Sequence, residues 1–379
     1  MTSPIRFSAP TFSARALQYL TASIESGHLD GDSPFTVACH QWLADHYGVR
    51  TLLTPSCTAS LELAALLAEV GPGDEVIMPS YTFSSTANAF VLRGATPVFV
   101  DVRDDTLNLD ETLLEAALTA RTKAIAPVHY AGVGCDMDAI CTFAEAHGLM
   151  VIEDAAQAHL ATWRGQKLGT FGALGCISYH VSKNVVCGEG GALVVNDDAL
   201  TDRAEIIWEK GTNRKQFRDE KVAKYEWLDV GSSYLPSDLQ AAVLLSQFED
   251  GAAITARRLA VWDRYHAAFA PLEAEDLLRR PAPPPEAVHN GHIYHVRLPD
   301  AETTAGFRAR LREAGAPTHL HYVPLHSAPA GRRFGRAATP MPVTDAAAAT
   351  LIRLPLNATI SDDDVERVMA GVTQAVGGR

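Results

Sequence analysis

Two short apolar runs in the sequence each lead to a residue that could do chemistry. Met150–Ile152 is followed by Asp154, and Cys176–Tyr179 is followed a few residues later by Lys183. In an open α/β sheet the carboxyl ends of the strands line the ligand crevice, so we expect these two side chains to face one site. Taken singly, an aspartate after a strand is typical of a helix cap, and a lysine in a loop is typical of a solvated side chain.

Taken together, the carboxylate and the amine match the needs of one cofactor. Pyridoxal 5′-phosphate is held by a lysine as a Schiff base, and a carboxylate keeps its ring nitrogen protonated so that the ring can accept electrons. We therefore interpret Lys183 and Asp154 as catalytic residues of an enzyme that uses this cofactor. Lys183 would also carry the transferred proton, because partial burial beside a cationic ring lowers the pKa of an amine.

Three motifs around these residues resemble those of the DegT/DnrJ/EryC1/StrS family of sugar aminotransferases. They are Glu153–Gln157 (E-D-A-A-Q), Ser178–Asn184 (S-Y-H-V-S-K-N) and Gly188–Gly191 (G-E-G-G), and the resemblance runs nearly end to end. It implies an α/β fold of the aspartate-aminotransferase type (fold type I), with a mainly parallel mixed sheet in a large domain and a smaller C-terminal α/β domain. It also implies transamination between an amino acid donor and a nucleotide sugar.

The same resemblance assigns further residues to the cofactor. Cys57 and Thr58 would bind its phosphate at a strand–loop–helix start, where unpaired N–H groups and the positive helix end converge, although a simple helix cap is an alternative for such a segment. Phe83 would stack on the pyridine ring, with an ordinary core position as the alternative. By resemblance, Gln157 would contact the ring hydroxyl and Ser178 the phosphate.

A long aperiodic segment, Gly211–Ser233, interrupts the alternation of strands and helices. A loop of this length inside a compact domain is usually functional or disordered. The resemblance implies a homodimer in which this segment reaches the active site of the neighbouring subunit, where relatives often place an asparagine on the phosphate. Here the family's G-x-N-Y pattern reads Gly231–Tyr234, so Ser233 stands in place of that asparagine.

Histidines crowd the C-terminal third of the chain, at His289, His292, His295, His319, His321 and His326. Two pairs have near-alternate spacing, and no carboxylate or thiol stands at ligand spacing. We therefore expect surface or substrate contact here rather than a metal site. By resemblance, His321, Tyr322 and His326 lie over the sugar substrate.

Strand-like and helix-like segments alternate along most of the chain, which indicates right-handed βαβ units and a mainly parallel sheet covered on both faces. A helix is predicted from Pro236 to about Phe248, and a separate helix, Ala253–Ala270, is expected to bridge to a second α/β unit. Another helix is predicted in that unit at Val343–Leu351. We therefore divide the chain into a large cofactor-binding domain, residues 1–250, and a small C-terminal domain, residues 251–379. The predicted strands of the first domain are 51–54, 75–78, 98–102, 124–128, 150–152, 176–179 and 192–195.

Composition narrows the possible partners and location. The net charge of −13 leaves no basic surface for nucleic acid or anionic lipid, so an anionic substrate must be held by a few local donors. No apolar run approaches membrane-spanning length, and Met1–Phe7 lacks the pattern of an export signal. The six cysteines show no C-x-x-C pairing, which favours reduced thiols in a cytoplasmic protein.

Three rival functions fit the residues less well. The G-x-G-x-x-G pattern that opens a dinucleotide fold is absent, and Gly188–Gly191 precedes a strand rather than following one, which argues against nicotinamide binding. Some relatives are sugar dehydratases, but they replace the lysine by histidine, whereas Lys183 is present here. A non-catalytic regulator would require a lost site, whereas Asp154, Gln157, Ser178 and Lys183 are all in place.

Overall fold

The computed structural model describes residues 4–377, in which strands and helices alternate along the chain. The strands are β1 (Arg50–Thr54), β2 (Glu75–Pro79), β3 (Thr96–Val100), β4 (Thr122–Ile125), β5 (Met150–Asp154), β6 (Thr162–Trp163), β7 (Gln166–Lys167), β8 (Leu174–Ser178), β9 (Gly191–Val195), β10 (Ala287–Val288), β11 (Tyr294–Arg297), β12 (Arg336–Ala337) and β13 (Leu351–Leu354). The α-helices are α1 (Ala14–Ser26), α2 (Pro34–Tyr47), α3 (Cys57–Leu67), α4 (Ser84–Val91), α5 (Leu114–Ala117), α6 (Met137–His147), α7 (Thr201–Trp208), α8 (Arg214–Arg218), α9 (Asp238–Ala268), α10 (Ala270–Ala274), α11 (Ala301–Glu313), α12 (Pro329–Phe334), α13 (Pro342–Thr350) and α14 (Asp362–Gly377). Short 3₁₀ helices lie at Glu111–Leu113, Tyr130–Gly132, Asp198–Leu200 and Leu325–Ser327. Among the described residues, no helix combines the length and the apolar character needed to span a membrane.

A sheet of eight strands forms the centre of the large domain, in the order β1-β9-β8-β5-β4-β2-β3-β12. From β8 to β12 neighbouring strands pair in parallel, whereas β9 runs antiparallel to both β1 and β8. The predicted mainly parallel mixed sheet is therefore confirmed. Because β5 and β8 are parallel neighbours, their carboxyl ends, which carry Asp154 and Ser178, lie at the same edge.

Alternate residues of the central strands pack into two separate cores, one on each face of the sheet. In β2, Ile77 belongs to the core that includes residues of α2 and α6, while Val76 and Met78 belong to the core that includes residues of α3 and α4. All residues of β2, β8 and β9 are buried, as expected for strands covered on both faces. Each buried aliphatic side chain contributes about 1.5–3 kcal/mol, so both faces hold the sheet in place.

The two helices predicted at Pro236–Phe248 and Ala253–Ala270 are in fact one continuous helix, α9, and the predicted break between them is wrong. A capping box at Ser237 starts the helix. Gly251 lies in its interior, where a glycine costs about 1 kcal/mol relative to alanine. A Cβ at this position would lie 3.3 Å from Val185 Cγ2, so the glycine permits close packing of α9 against the segment that follows Lys183.

A third core lies in the C-terminal domain, between β11, β13, α11, α14 and the end of α9. The helix predicted at Val343–Leu351 ends at Thr350, and Leu351 instead begins β13, a strand that the sequence analysis missed. β13 pairs antiparallel with β11. The strand directly precedes Pro355, which disfavours helical backbone in the residue before it.

The division of the chain into residues 1–250 and 251–379 remains a proposal. The boundary falls inside α9, and two segments cross it. Ile5 packs into the C-terminal core, and β12 extends the large sheet beside β3. These crossings tie the two units together at places other than the connecting helix.

Candidate active site

A cavity of about 560 Å³ lies at the carboxyl-terminal edge of the large sheet. Its large-domain lining comes mainly from segments that follow β1, β2, β4, β5 and β8, the position where parallel strands gather ligand-binding groups. The C-terminal domain contributes the rest. The lining residues are Ser56, Cys57, Thr58, Leu61, Thr82, Phe83, Ser85, Val128, Asp154, Ala156, Gln157, Ser178, His180, Ser182, Lys183, Glu189, His292, His321, Tyr322 and Arg353.

Most of the predicted site residues line this cavity, and two do not. Ser233 is exposed outside it, where its backbone bridges to Glu209. The imidazole of His326 also lies elsewhere, with Nδ1 2.8 Å from Ser80 Oγ. The predicted residues that the fold does bring together are Cys57, Thr58, Phe83, Asp154, Gln157, Ser178, Lys183, His321 and Tyr322.

The Asp154 carboxylate is buried and held in one orientation at the cavity wall. Oδ2 accepts a hydrogen bond from the Thr86 hydroxyl at 2.7 Å, and Oδ1 accepts one from the Ala156 N–H at 3.1 Å. The backbone is fixed as well, because the Asp154 N–H donates to Pro127 O and its carbonyl accepts from the His129 N–H. An ionised group with these partners is ready to pair with a cationic N–H in the cavity.

Behind this wall, the carboxylate of Glu153 is completely buried and accepts hydrogen bonds at both oxygens. Oε1 accepts from the N–H groups of Phe171 and Gly172 at 2.7 and 2.8 Å. Oε2 accepts from the Gly169 N–H at 2.7 Å and from His129 Nε2 at 2.9 Å. One side chain thereby ties the end of β5 to the loop before β8 and to the segment after β4.

The ring of His129 serves structure rather than the cavity. Its Nδ1 accepts from the Cys135 N–H at 3.2 Å, so the ring proton is on Nε2 and is donated to Glu153. The histidine is fully buried and both nitrogens are used inside the protein. His129 is therefore a structural residue.

Lys183 follows β8 in a turn closed by a 2.9 Å hydrogen bond from its own N–H to His180 O. Its side chain lines the cavity, and within residues 4–377 its Nζ makes no hydrogen bond or ion pair. Burial lowers the pKa of the amine, since it disfavours the charged form. Arg353 lowers that pKa further, whereas Cys57 and Asp154 act in the opposite direction. The net effect is a lowered pKa, which makes the neutral amine easier to form.

A polar network fixes the segment around Lys183 from the C-terminal side. Asn184 donates to Asn290 O at 2.8 Å, which leaves its Oδ1 to accept from His292 Nδ1 at 3.1 Å. Arg258, from α9, donates to the carbonyl of His292. Burial, with the charge of Lys183 as a smaller cause, lowers the His292 pKa well below its ordinary value. A neutral imidazole therefore lines the cavity, at one of the histidines for which surface or substrate contact was expected.

The expectation that the C-terminal histidines contact surface or substrate is wrong for His295. His295 is buried and lies outside the lining of this cavity. Its ring packs 6.0 Å from that of Tyr130. Burial lowers its pKa to about 3, so the ring stays neutral. Within residues 4–377, no three His, Cys, Asp or Glu side chains are grouped so that they could hold a metal ion.

The start of α3 presents unpaired donors to the cavity. Ser56 is the N-cap, and its hydroxyl accepts from the Ala59 N–H at 3.1 Å. Within the described chain, the N–H groups of Cys57 and Thr58 find no acceptor, as expected for the first turn of a helix. A Cβ on Gly191 would lie 2.5 Å from Cys57 N, which explains why the G-E-G-G motif ends in glycine against this helix start.

Another wall of the cavity is formed by the side chains of His321, Tyr322 and Gln157. Gln157 Oε1 accepts from the Ala131 N–H at 2.8 Å, and its Nε2 donates to the Tyr322 hydroxyl at 3.0 Å. The rings of His321 and Tyr322 stack with centroids 3.9 Å apart. The Tyr81 hydroxyl donates to the carbonyl of His321. Gln157 therefore keeps one N–H proton for a ligand, while its carbonyl oxygen is already used.

Arg353 is the main functional candidate that the sequence analysis missed. It lies in β13, within the run L-I-R-L that had been placed partly in a helix. A single arginine inside a buried apolar strand was the available signal. Arg353 pairs with His295 of β11, and its side chain lines the cavity, where Nη1 lies 2.8 Å from His321 Nε2.

A larger cavity, of about 1090 Å³, lies elsewhere between the two domains. It contains none of the predicted site residues. Its arginines are largely paired, as where Arg279 and Arg297 both bind Asp104 and Arg280 binds Glu273. The smaller cavity, with an amine and amides that lack partners, is the better candidate for chemistry.

The residues of this smaller cavity fit pyridoxal phosphate. They supply a buried carboxylate for the ring nitrogen, an amine without a partner, and free amides at a helix start, which bind phosphate groups readily. The cavity volume lies within the range of small-molecule sites. Fold and site together define an aminotransferase that depends on pyridoxal phosphate.

The chain belongs to the DegT/DnrJ/EryC1/StrS aminotransferase family, whose model matches residues 10–373. It is 34% identical over 381 residues to the spore coat polysaccharide biosynthesis protein SpsC of Bacillus subtilis (strain 168), covering 98% of this chain and 97% of SpsC. The aminotransferase TlmJ from Streptoalloteichus hindustanus superposes with a TM-score of 0.90 at 31% identity over 99% of each chain. The PLP form of the putative sugar aminotransferase Spr1654 from Streptococcus pneumoniae superposes with a TM-score of 0.89 at 26% identity over 99% of each chain. Pyridoxal phosphate is thus the cofactor.

Glu153→Gln should destabilise the protein by about 3 kcal/mol, because an amide NH₂ group cannot accept the hydrogen bonds that one carboxylate oxygen now receives. Urea unfolding, compared with that of the wild type, measures the loss. Glu145→Gln is the matched control, since Glu145 is exposed on α6. Equal stability of the two variants would show that the buried carboxylate does not hold the end of β5.

Proposed function

We propose that this aminotransferase moves an amino group from L-glutamate to C4 of dTDP-4-keto-6-deoxy-D-glucose, giving dTDP-4-amino-4,6-dideoxy-D-galactose. The convergence of Asp154, Lys183 and the start of α3 on one cavity carries the proposal. The choice of sugar is supported by the resemblance of Pro79–Ala95, Glu209–Arg214 and His321–His326 to dTDP-4-amino-4,6-dideoxygalactose transaminase. The polysaccharide role in the name of SpsC is consistent with a sugar substrate.

Asp154 and Lys183 would perform the chemical steps. Pyridoxal phosphate, when bound, supplies an electron sink for the carbanion formed at the α-carbon of the donor. The oriented carboxylate of Asp154 would keep the ring nitrogen protonated. Lys183 would hold the cofactor at C4′ and, once displaced by the donor, move the proton between the donor α-carbon and C4′. Its lowered pKa supports this role, because only the neutral amine accepts a proton.

The other predicted residues would hold the cofactor in place. The free amides of Cys57 and Thr58, together with Ser178, would bind the phosphate. The remaining N–H of Gln157 would donate to the ring hydroxyl. Phe83 is 61% exposed at the cavity and would cover the pyridine ring.

The sugar would lie against His321 and Tyr322, which line the cavity with uncharged polar groups. Burial raises the pKa of Tyr322 to about 12, so its hydroxyl stays protonated at neutral pH. Burial lowers the pKa of His321 to about 2, with Arg353 as the next cause. Hydroxyl groups of a sugar are suited to such neutral donors and acceptors.

We also propose a homodimer with shared active sites. The segment Gly211–Ser233 is held at its base by bridges, yet it exposes Trp227 by 81%. Helix α1 exposes Leu17 by 70%, and Ser233 lies outside the cavity of its own chain. Large exposed apolar groups are typical of protein interfaces, and a two-fold dimer would bury both surfaces.

A cytoplasmic location is proposed as well. The six cysteines of the described chain are all free thiols, and four of them are buried. Thiols persist in reducing compartments, whereas secreted proteins tend to oxidise theirs.

Lys183→Ala should abolish turnover while the protein stays folded, because the change removes the cofactor attachment and the proton carrier without deleting core volume. Asp154→Asn should keep the cofactor but lose on the order of 100-fold in rate, since an amide stabilises a cationic ring poorly. For both variants, steady-state amination measures the rate, and the absorption spectrum shows whether the cofactor is bound. Near-normal rates in the lysine variant would end the aminotransferase mechanism proposed for this residue.

Two inactive variants should complement each other if sites are shared. One carries Lys183→Ala and the other has residues 219–225 replaced by a short Gly-Ser linker. After random subunit exchange, half of the dimers are mixed and each contains one intact site, so about one quarter of the sites should recover. Mass analysis of differently tagged subunits confirms exchange, and exchange without recovered activity would refute the shared site.

The product should carry its new amine at C4 in the axial position, as in galactose. Lys183 can deliver a proton to C4 from only one face of the bound sugar, so the anchored orientation determines the configuration. Proton NMR of the product distinguishes the outcomes, because the H4 couplings are small for an axial amine and large for an equatorial one. Large couplings, or amination at C3, would refute this sugar assignment and leave the family assignment intact.

A further inference from the structure

The guanidinium of Arg353 is a cation in the cavity that no acid of the described chain neutralises. Nη1 lies 2.8 Å from His321 Nε2, and Nε is buried without a hydrogen-bond partner. On one side the group lies over the ring of Phe7, with the guanidinium carbon 5.1 Å from the ring centroid. Its protein contacts within residues 4–377 are thus to uncharged groups.

The neighbours of Arg353 cannot supply the missing negative charge. Arg353 donates to His321 Nε2, so the ring proton of His321 lies on Nδ1, which is 3.3 Å from the Tyr130 hydroxyl. Burial raises the pKa of both Tyr130 and Tyr322, so these hydroxyls remain protonated. A partly buried cation without an anionic partner costs free energy that a bound anion would recover.

The position of Arg353 selects among the anions that an aminotransferase handles. The cofactor phosphate has its own donors at the start of α3, on a different element. The diphosphate of a nucleotide sugar is separated from the reacting C4 carbon by several bonds. The α-carboxylate of an amino acid is bonded directly to its reacting carbon, so it must lie close to Lys183. Arg353 and Lys183 line the same cavity, which matches this last requirement.

We propose that Arg353 binds the α-carboxylate of the amino acid donor, an inference that rests on the proposed aminotransferase function. A guanidinium forms strong charge-assisted hydrogen bonds with a carboxylate. The keto sugar has no charge next to its reacting carbon, so Arg353 gains no ion pair in that half of the reaction. Arg353 therefore stabilises the bound substrate through an ion pair in the donor half-reaction and not in the sugar half-reaction.

Arg353→Gln should impair the donor half-reaction selectively. Single-turnover absorbance would follow the pyridoxal phosphate form with L-glutamate, and the pyridoxamine phosphate form with the keto-sugar nucleotide. We expect kcat/KM for glutamate to fall about 10- to 150-fold, the range for a lost hydrogen bond to a charged group. The sugar half-reaction should change by less than about threefold, because no ion pair is lost there.

Two controls separate carboxylate binding from general damage. Arg353→Lys keeps the charge and should recover part of the glutamate rate, and Arg312→Gln removes an exposed arginine of α11 and should leave both half-reactions unchanged. 4-Aminobutyrate, which is glutamate without its α-carboxylate, should react at the same rate with wild type and Arg353→Gln. Equal losses in both half-reactions, or a loss in the sugar half alone, would overturn the proposal. The donor half-reaction needs no sugar, so a wrong sugar assignment would not mimic this failure.

Discussion

Glu153 accepts hydrogen bonds from three backbone amides of the loop before β8 and from the ring of His129, all inside the protein. A buried carboxylate that lost these donors would be left as an unpaired charge, which strongly penalises any other arrangement of the segments. The neighbouring residue on the same strand is Asp154, whose carboxylate faces the cavity. The geometry of the site therefore depends on a buried carboxylate that lies outside the lining of the cavity.

The cavity is lined by a few charged side chains with many uncharged polar groups between them. Asp154 and Arg353 lie on different elements, and between them are hydroxyls, an amide and histidines that burial keeps uncharged. In such surroundings, which contain little water to screen a charge, the guanidinium of Arg353 attracts a nearby anion strongly. This arrangement is consistent with the overall charge of −13, because local donors rather than a basic surface must hold anionic substrates.

The motifs that predicted the site share one physical property, which is that each is local. Asp154 and Ser178 are the last residues of β5 and β8, and Gln157 and Lys183 follow these strands. Strand direction alone therefore placed all four at one edge. The predictions that were wrong involved long-range packing. Helix α9 continues through Gly251, where it packs closely against Val185, and residue patterns along α9 do not encode this packing.

The sequence by itself determined the parallel sheet, the cofactor chemistry and the residues at the strand ends. A buried strand and the reactive residues that follow it are contiguous in the chain, so a local pattern is enough to identify them. Only the tertiary structure decided that Arg353 enters the cavity, that His292 faces it and that His326 does not. The side chains concerned are held by contacts between residues distant in sequence: Arg353 with His321, His292 with Asn184, and His326 with Ser80. Contacts of this kind arise from packing between distant parts of the chain, and no local pattern specifies them.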